Sequence, residues 1–156
     1  MTYCNSTSNT AVVRHAHDLG YAVMLITNSP TYRFSQVLAL KIWIEPAILH
    51  QQIAFIFSGF GDVRGYYTWA LLSDEVSSRL INDADFMLHP SEWNEGSSLW
   101  IIDFCFPYGD LSAGIQDIRC RFRGDDISWV RRDVRLVPRK IIRSGKSGFS
   151  SEIISA

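Results

Sequence analysis

Apolar residues recur in the first part of the chain at Val12, Ala16, Leu19, Val23 and Ile26, in alternating steps of four and three. That spacing lays one stripe along a helix starting near Thr10, weakened by Gly20 and stopped at Asn28-Ser29-Pro30. Residues 1–9, rich in Ser, Thr and Asn, read as a flexible N-terminus. The mostly apolar stretch Val37–Leu49 holds Trp43, and Pro46 predicts that no regular helix runs through it. Two β-rich runs follow, Ile53–Phe57 and Tyr66–Leu72. Ser58-Gly59-Phe60-Gly61-Asp62 joins them, which predicts an antiparallel hairpin with turn glycines. Ser73 caps a predicted helix with Asp74 and Glu75 in its first turn and Val76, Leu80 and Ala84 on its buried side.

A polar segment from Asn82 to Ser98 carries His89-Pro90 and Trp93. Leu99–Phe106 then has the pattern of a central strand interrupted by one charge, Asp103. Pro107-Tyr108-Gly109-Asp110 ends it, and Ile115, Ile118 and Phe122 mark another helix. Ile127–Val137 and Arg139–Arg143 read as two further strands. There is no internal repeat and no interdomain linker. The order predicts a single α+β domain over residues 10–156, built around a largely antiparallel sheet.

Composition narrows the class. The 156 residues suit one core, and 47% apolar with 13% aromatic residues exclude a disordered chain. No run of eighteen apolar residues and no leader pattern at Met1 point to a cytoplasmic protein without a membrane span. Three cysteines at unrelated spacings, Cys4, Cys105 and Cys120, suit neither a disulfide scaffold nor a zinc site, and Cys105 reads as a small core residue. Net charge is −1, but ten of the fifteen basic residues lie between Arg119 and Lys146. Either strand residues expose their charges on both faces there, or a basic surface receives an acidic partner. Nucleic acid is not the expected partner, because no helix-turn-helix, zinc-finger or aromatic RNA-binding signature accompanies the charge.

Asp103 is the strongest chemical anomaly. An unpaired carboxylate is costly to bury, so within Trp100–Phe106 it must meet solvent, a partner or a cleft. Simple alternation puts it on one face with Ile101 and Cys105, away from Trp100 and Ile102. It is either an ion pair or loop cap, or a general base or the group that orients one. The histidines make no site by spacing: His15 and His17 point to different helix faces, and His50 and His89 lack partners at a metal spacing. No Walker or dinucleotide-binding loop occurs. Gly109 to Gly114 leads from a strand into a helix, whose free amides could face an anion.

Several blocks taken together are similar to the toxin-activating lysine acyltransferases that mature RTX haemolysins. They are Leu19-Gly20 leading to Ser29-Pro30, Pro46-Ala47-Ile48 with Gln52, and Trp69-Ala70-x-Leu72-Ser73. Trp93-Asn94-Glu95-Gly96 followed by Leu99–Asp103 is the most specific, and Pro107-Tyr108-Gly109-Asp110 completes it. The resemblance covers about Leu19 to Arg139 and implies a GCN5-related N-acyltransferase-like fold. It implies transfer of a fatty acyl group from acyl carrier protein, as its thioester, to an internal lysine of a toxin. It also gives the family's catalytic aspartate as Asp103 and places Tyr32 where the family's catalytic histidine follows Ser-Pro-x.

An unperturbed phenol has a pKa of about 10, so Tyr32 does not simply replace a histidine; it could donate a hydrogen bond or stabilise an oxyanion. The substitution, and a C-terminus that ends sooner than in usual members, resemble a divergent branch that matures siderophore-carrying microcins. The leading expectation from that likeness is attachment of a siderophore to the C-terminus of a microcin precursor peptide, together with a second protein subunit. The alternatives are fatty-acyl transfer to a toxin lysine and a non-catalytic precursor-binding subunit. The expected site is Asp103 and Tyr32 as catalytic residues, with Ser29, Arg33, Gly109, Arg131 and Arg135 binding substrate. No bound cofactor or metal is expected, the co-substrate being an acyl-carrier-protein thioester or a siderophore.

Overall fold

A computed structural model describes residues 6–32, 37–83, 86–132, 138–145 and 148–153. Six strands form one sheet in sequence order: β1 Ile53–Phe57, β2 Val63–Leu72, β3 Ser98–Cys105, β4 Ile127–Arg132, β5 Pro138–Gly145 and β6 Gly148–Ile153. Every neighbouring pair is antiparallel except β3 and β4, which run parallel and are joined through helix α5, Leu111–Arg121. A parallel neighbour needs such a crossover. The remaining helices are α1 Ser6–Asn28, α2 Val37–Ala39, α3 Glu45–Leu49 and α4 Asp74–Asn82. The architecture is α+β with a largely antiparallel sheet, as the sequence predicts, and fits an N-acyltransferase-like fold.

The first helix starts at Ser6, earlier than the expected Thr10. Its buried line is Ala22 and Leu25, flanked by Leu19 and Ile26, whereas Val12 and Ala16 are exposed. Only the second half of α1 belongs to a core cluster, so the apolar stripe at its start has nothing to pack on. Pro46 does not break the next segment. A π-helical stretch, Leu40–Ile44, links α2 to α3, and Pro46 falls in the first turn of α3, where a missing N–H costs little. Ser73 behaves as expected: its hydroxyl accepts the Val76 N–H at 3.3 Å, and Val76 and Leu80 are buried. Ala84 lies outside the described residues.

The hairpin turn is real, with Gly61 at φ +89°, a conformation glycine tolerates best. The sixth strand went unread because Gly-Phe-Ser-Ser-Glu-Ile has little apolar alternation; it is an edge strand with Ile153 exposed. The expected strand Ile127–Val137 is described only to Arg132. No helix among the described residues is long and apolar enough to cross a membrane.

The register of β3 positions the site. Thr68 pairs with Asp103, but Trp69 pairs with Ile101, so Ile102 is an extra residue opposite no partner of its own. Such a bulge reverses the alternation beyond it. Leu99, Ile101 and Phe104 pack with Ile118 of α5, while Trp100, Ile102 and Cys105 belong to the clusters on the other face, beneath α1, α3 and α4. Asp103 joins this second set, bonding to residues of the α1 cluster. The expectation that Asp103 shares a face with Ile101, away from Trp100 and Ile102, is therefore corrected. Simple alternation could not foresee the inserted residue.

Candidate active site

The last turn of α1 is closed by side chains: Thr27 Oγ1 donates to the Val23 carbonyl at 2.9 Å and Asn28 Nδ2 to the Met24 carbonyl at 2.8 Å. The Ser29 N–H donates to the Ile26 carbonyl, and the Ser29 carbonyl accepts the Tyr32 N–H at 3.2 Å. Ser29-Pro30-Thr31-Tyr32 is thus a β-turn with Pro30 at the position that proline favours. It leaves Ser29 6% exposed and aims the half-buried Tyr32 at the sheet.

There the turn meets Asp103. The Tyr32 hydroxyl donates to Asp103 Oδ1 at 2.5 Å, the Phe104 N–H donates to the same oxygen at 2.9 Å, and the Tyr66 hydroxyl donates to Oδ2 at 2.9 Å. No basic side chain among the described residues is ion-paired with it. Burial raises the Asp103 pKa above the usual carboxylate range, and the bonds from Tyr32, Tyr66 and Phe104 only partly oppose this. Tyr66 is raised well above its ordinary value by its own burial and then by the Asp103 charge, so it remains a hydroxyl donor. Burial and the Asp103 charge also push the Cys105 thiol up to about 12, against the pull of the Ser29 and Tyr66 hydroxyls. Cys105 is the small core residue expected, and a protonated thiol is a poor nucleophile.

A carboxylate with a raised pKa, supplied with phenolic donors, can accept a proton and return it. Its two oxygens offer about four acceptor positions, and the described residues take three. A substrate proton reaches it at the remaining one or by displacing Tyr32, which is the partly exposed phenol; Tyr66 is 0% exposed.

The structure brings Ser29, Tyr32 and Asp103 together. Arg33 and Arg135 lie outside the described residues. Gly109, at φ +90°, forms the turn between β3 and α5, and the next residue, Asp110, has its carboxylate bonded to Arg64 Nε at 2.9 Å. Arg131 is exposed on β4, where it lines an open groove of about 450 Å³ with Ile101, Phe104, Leu111, Ile115 and Trp129. Among the described residues, no group of three His, Cys, Asp or Glu could hold a metal ion. His50 instead contacts the Pro90 carbonyl at 3.1 Å, and His89 caps the short turn Pro90–Trp93.

Sequence reading missed Tyr66. Its signal was faint: one of three aromatics in an apolar hairpin strand, placed beside Asp103 by the register of the two strands.

A model of the RTX toxin acyltransferase family matches residues 11–137, which include the turn and the strand. The RTX-II toxin-activating lysine-acyltransferase of Actinobacillus pleuropneumoniae is 34% identical over 122 residues, 78% of this chain and 72% of that protein. The lysine-acyltransferase RtxC of Vibrio cholerae is 22% identical over 138 residues, 86% of this chain and 90% of that one. A protein-lysine myristoyltransferase of Kingella kingae is 31% identical over 93 residues, 60% of this chain and 54% of that one. The matched span and these identities lead to one conclusion: the chain belongs to the RTX toxin acyltransferase family and is an acyltransferase.

Proposed function

We propose that this protein transfers a fatty acyl group from a carrier thioester to the side-chain amine of a lysine in a toxin precursor. The observation that carries the reading is the half-buried Asp103 carboxylate, held by two phenols at the end of the Ser29–Tyr32 turn. The amine nitrogen attacks the thioester carbonyl, a C–N bond forms, and the C–S bond breaks. Asp103 takes the proton that the nitrogen loses, and the departing carrier thiolate receives one in return. Tyr32 has one hydroxyl proton, which Asp103 accepts in the resting site; once Asp103 is protonated, that hydroxyl turns to the oxyanion or the leaving sulfur at the rim.

The groove between α5, β4 and β5 supports an apolar donor tail. It is lined by Ile101 and Phe104, on the sheet face opposite the one Asp103 reaches, so a tail held there would have to round the sheet edge to present its thioester to Asp103. Arg119 and Arg131 on its wall suit an acidic carrier such as acyl carrier protein. With these substrates the enzyme works in the cytoplasm.

The leading expectation, siderophore attachment to a microcin with a second subunit, gives way to its fatty-acyl alternative. The relatives described above are named for lysine acyl transfer, and none of those names mentions a siderophore or a microcin. Tyr32, where the resemblance expects histidine, is the feature that keeps a divergent acceptor as the second reading. Reconstitution with acyl carrier protein bearing a myristoyl thioester and an RTX precursor separates the two. An acyl mass increment on a lysine is the expected result. No increment there, with a catecholate adduct on the C-terminal serine of a microcin precursor, contradicts it.

A further inference from the structure

We infer that Tyr66 is a positioning residue for the reaction: it fixes the second oxygen of Asp103, and so sets the orientation and basicity of that carboxylate. The inference rests on Asp103 being the base. Four observations carry it. The Tyr66 hydroxyl donates to Oδ2 at 2.9 Å, while Oδ1 is held by Tyr32 and the Phe104 N–H. Tyr66 is 0% exposed, so it cannot touch a substrate and acts only through Asp103. Its ring is clamped edge-on by Phe55, with centroids 6.1 Å apart at 66°, so the hydroxyl has one place to go. The register of the two strands places Asp103 on the face that Tyr66 occupies.

The adjacent residue provides a matched comparison. Tyr67 is equally buried on the same strand, and its hydroxyl donates to another carboxylate, Asp117, on the α5 face. Tyr66→Phe and Tyr67→Phe remove the same atom from neighbouring positions with similar burial. If Tyr66 only filled space, the two variants would behave alike.

The test uses the full chain in three versions, wild type, Tyr66→Phe and Tyr67→Phe, with Asp103→Asn as reference. Removing a donor that favours the ionised carboxylate should raise the Asp103 pKa further, read by ¹³C NMR titration of its carboxyl carbon without substrate. In acyl transfer, Tyr66→Phe should lower kcat roughly tenfold, leave KM for the precursor unchanged, and move the acidic limb of the pH profile upward. Tyr67→Phe should keep the wild-type titration, kcat and profile. An Asp103 titration in Tyr66→Phe identical to wild type overturns the proposal. So does equal loss of activity in both variants. Inactive Asp103→Asn beside fully active Tyr66→Phe removes Tyr66 alone and leaves the catalytic reading standing. Full activity of Asp103→Asn removes both.

Discussion

Two adjacent tyrosines on β2 each bind a carboxylate, and the two faces of the sheet treat those carboxylates differently. On the α5 face, the Tyr67 hydroxyl donates to Asp117 at 2.5 Å and accepts from Arg121 Nε at 2.8 Å. Arg121 also lies 3.4 Å from Asp117 and stacks over Trp69 at 5.4 Å. A guanidinium balances the charge there, and the cluster ties α5 to the sheet. On the α1 face, the donors to Asp103 among the described residues are all neutral, two phenols and one amide. Burial raises its pKa, leaving a group that can exchange its proton. One arrangement fastens a helix; the other holds the carboxylate that we propose as the base.

Replacing Asp103 breaks the comparison most severely. Asp103→Asn keeps the shape but removes the proton acceptor, so precursor modification should fall at least tenfold, equivalent to about 1.4 kcal/mol of transition-state stabilisation. Mass spectrometry of the precursor reads this directly. The same variant has a stability signature. Because the folded Asp103 pKa lies above its unfolded value, the native state binds more protons between the two. Wild-type stability therefore falls as pH rises through that window and stays lower above it. Asp103→Asn should lack this slope, which thermal melts across the window will show.

Tyr32→Phe comes next. It removes the rim phenol but almost no volume, so turnover should drop several-fold with little change in melting temperature. Unchanged turnover would make Tyr32 a spectator of Asp103.

Tyr67→Phe should be the mildest in function. It costs a hydrogen bond worth about 1 kcal/mol, or roughly 2–4 °C in Tm for a chain of this size, with activity preserved. A loss of activity comparable to Tyr32→Phe would erase the distinction between the two faces.

Much of this arrangement was legible in the sequence because local rules produced it. The hairpin followed from alternation and glycine, and α4 from the Ser73 cap. Asp103 stood out because a carboxylate in an apolar strand needs a reason. The rest depended on long-range events. A residue inserted at Ile102 is invisible to alternation, and it decides which face Asp103 reaches. A π-helical stretch, Leu40–Ile44, ends just before Pro46, which then sits in the first turn of α3 instead of breaking a regular helix. Tyr66 acquires its role only from a partner 37 residues away in the chain. Tyr32 was found through the resemblance, and the structure joins its phenol to Asp103.

The central claim is that Asp103 accepts the proton lost by the attacking amine. Its most direct test is the pH dependence of single-turnover acyl transfer by the wild-type enzyme, with Asp103→Asn alongside. The account predicts a rising limb governed by one group with a pKa above the ordinary carboxylate value, and near-complete loss of turnover in the variant at every pH. A wild-type profile without that limb, or one that Asp103→Asn reproduces at comparable rate, would contradict it.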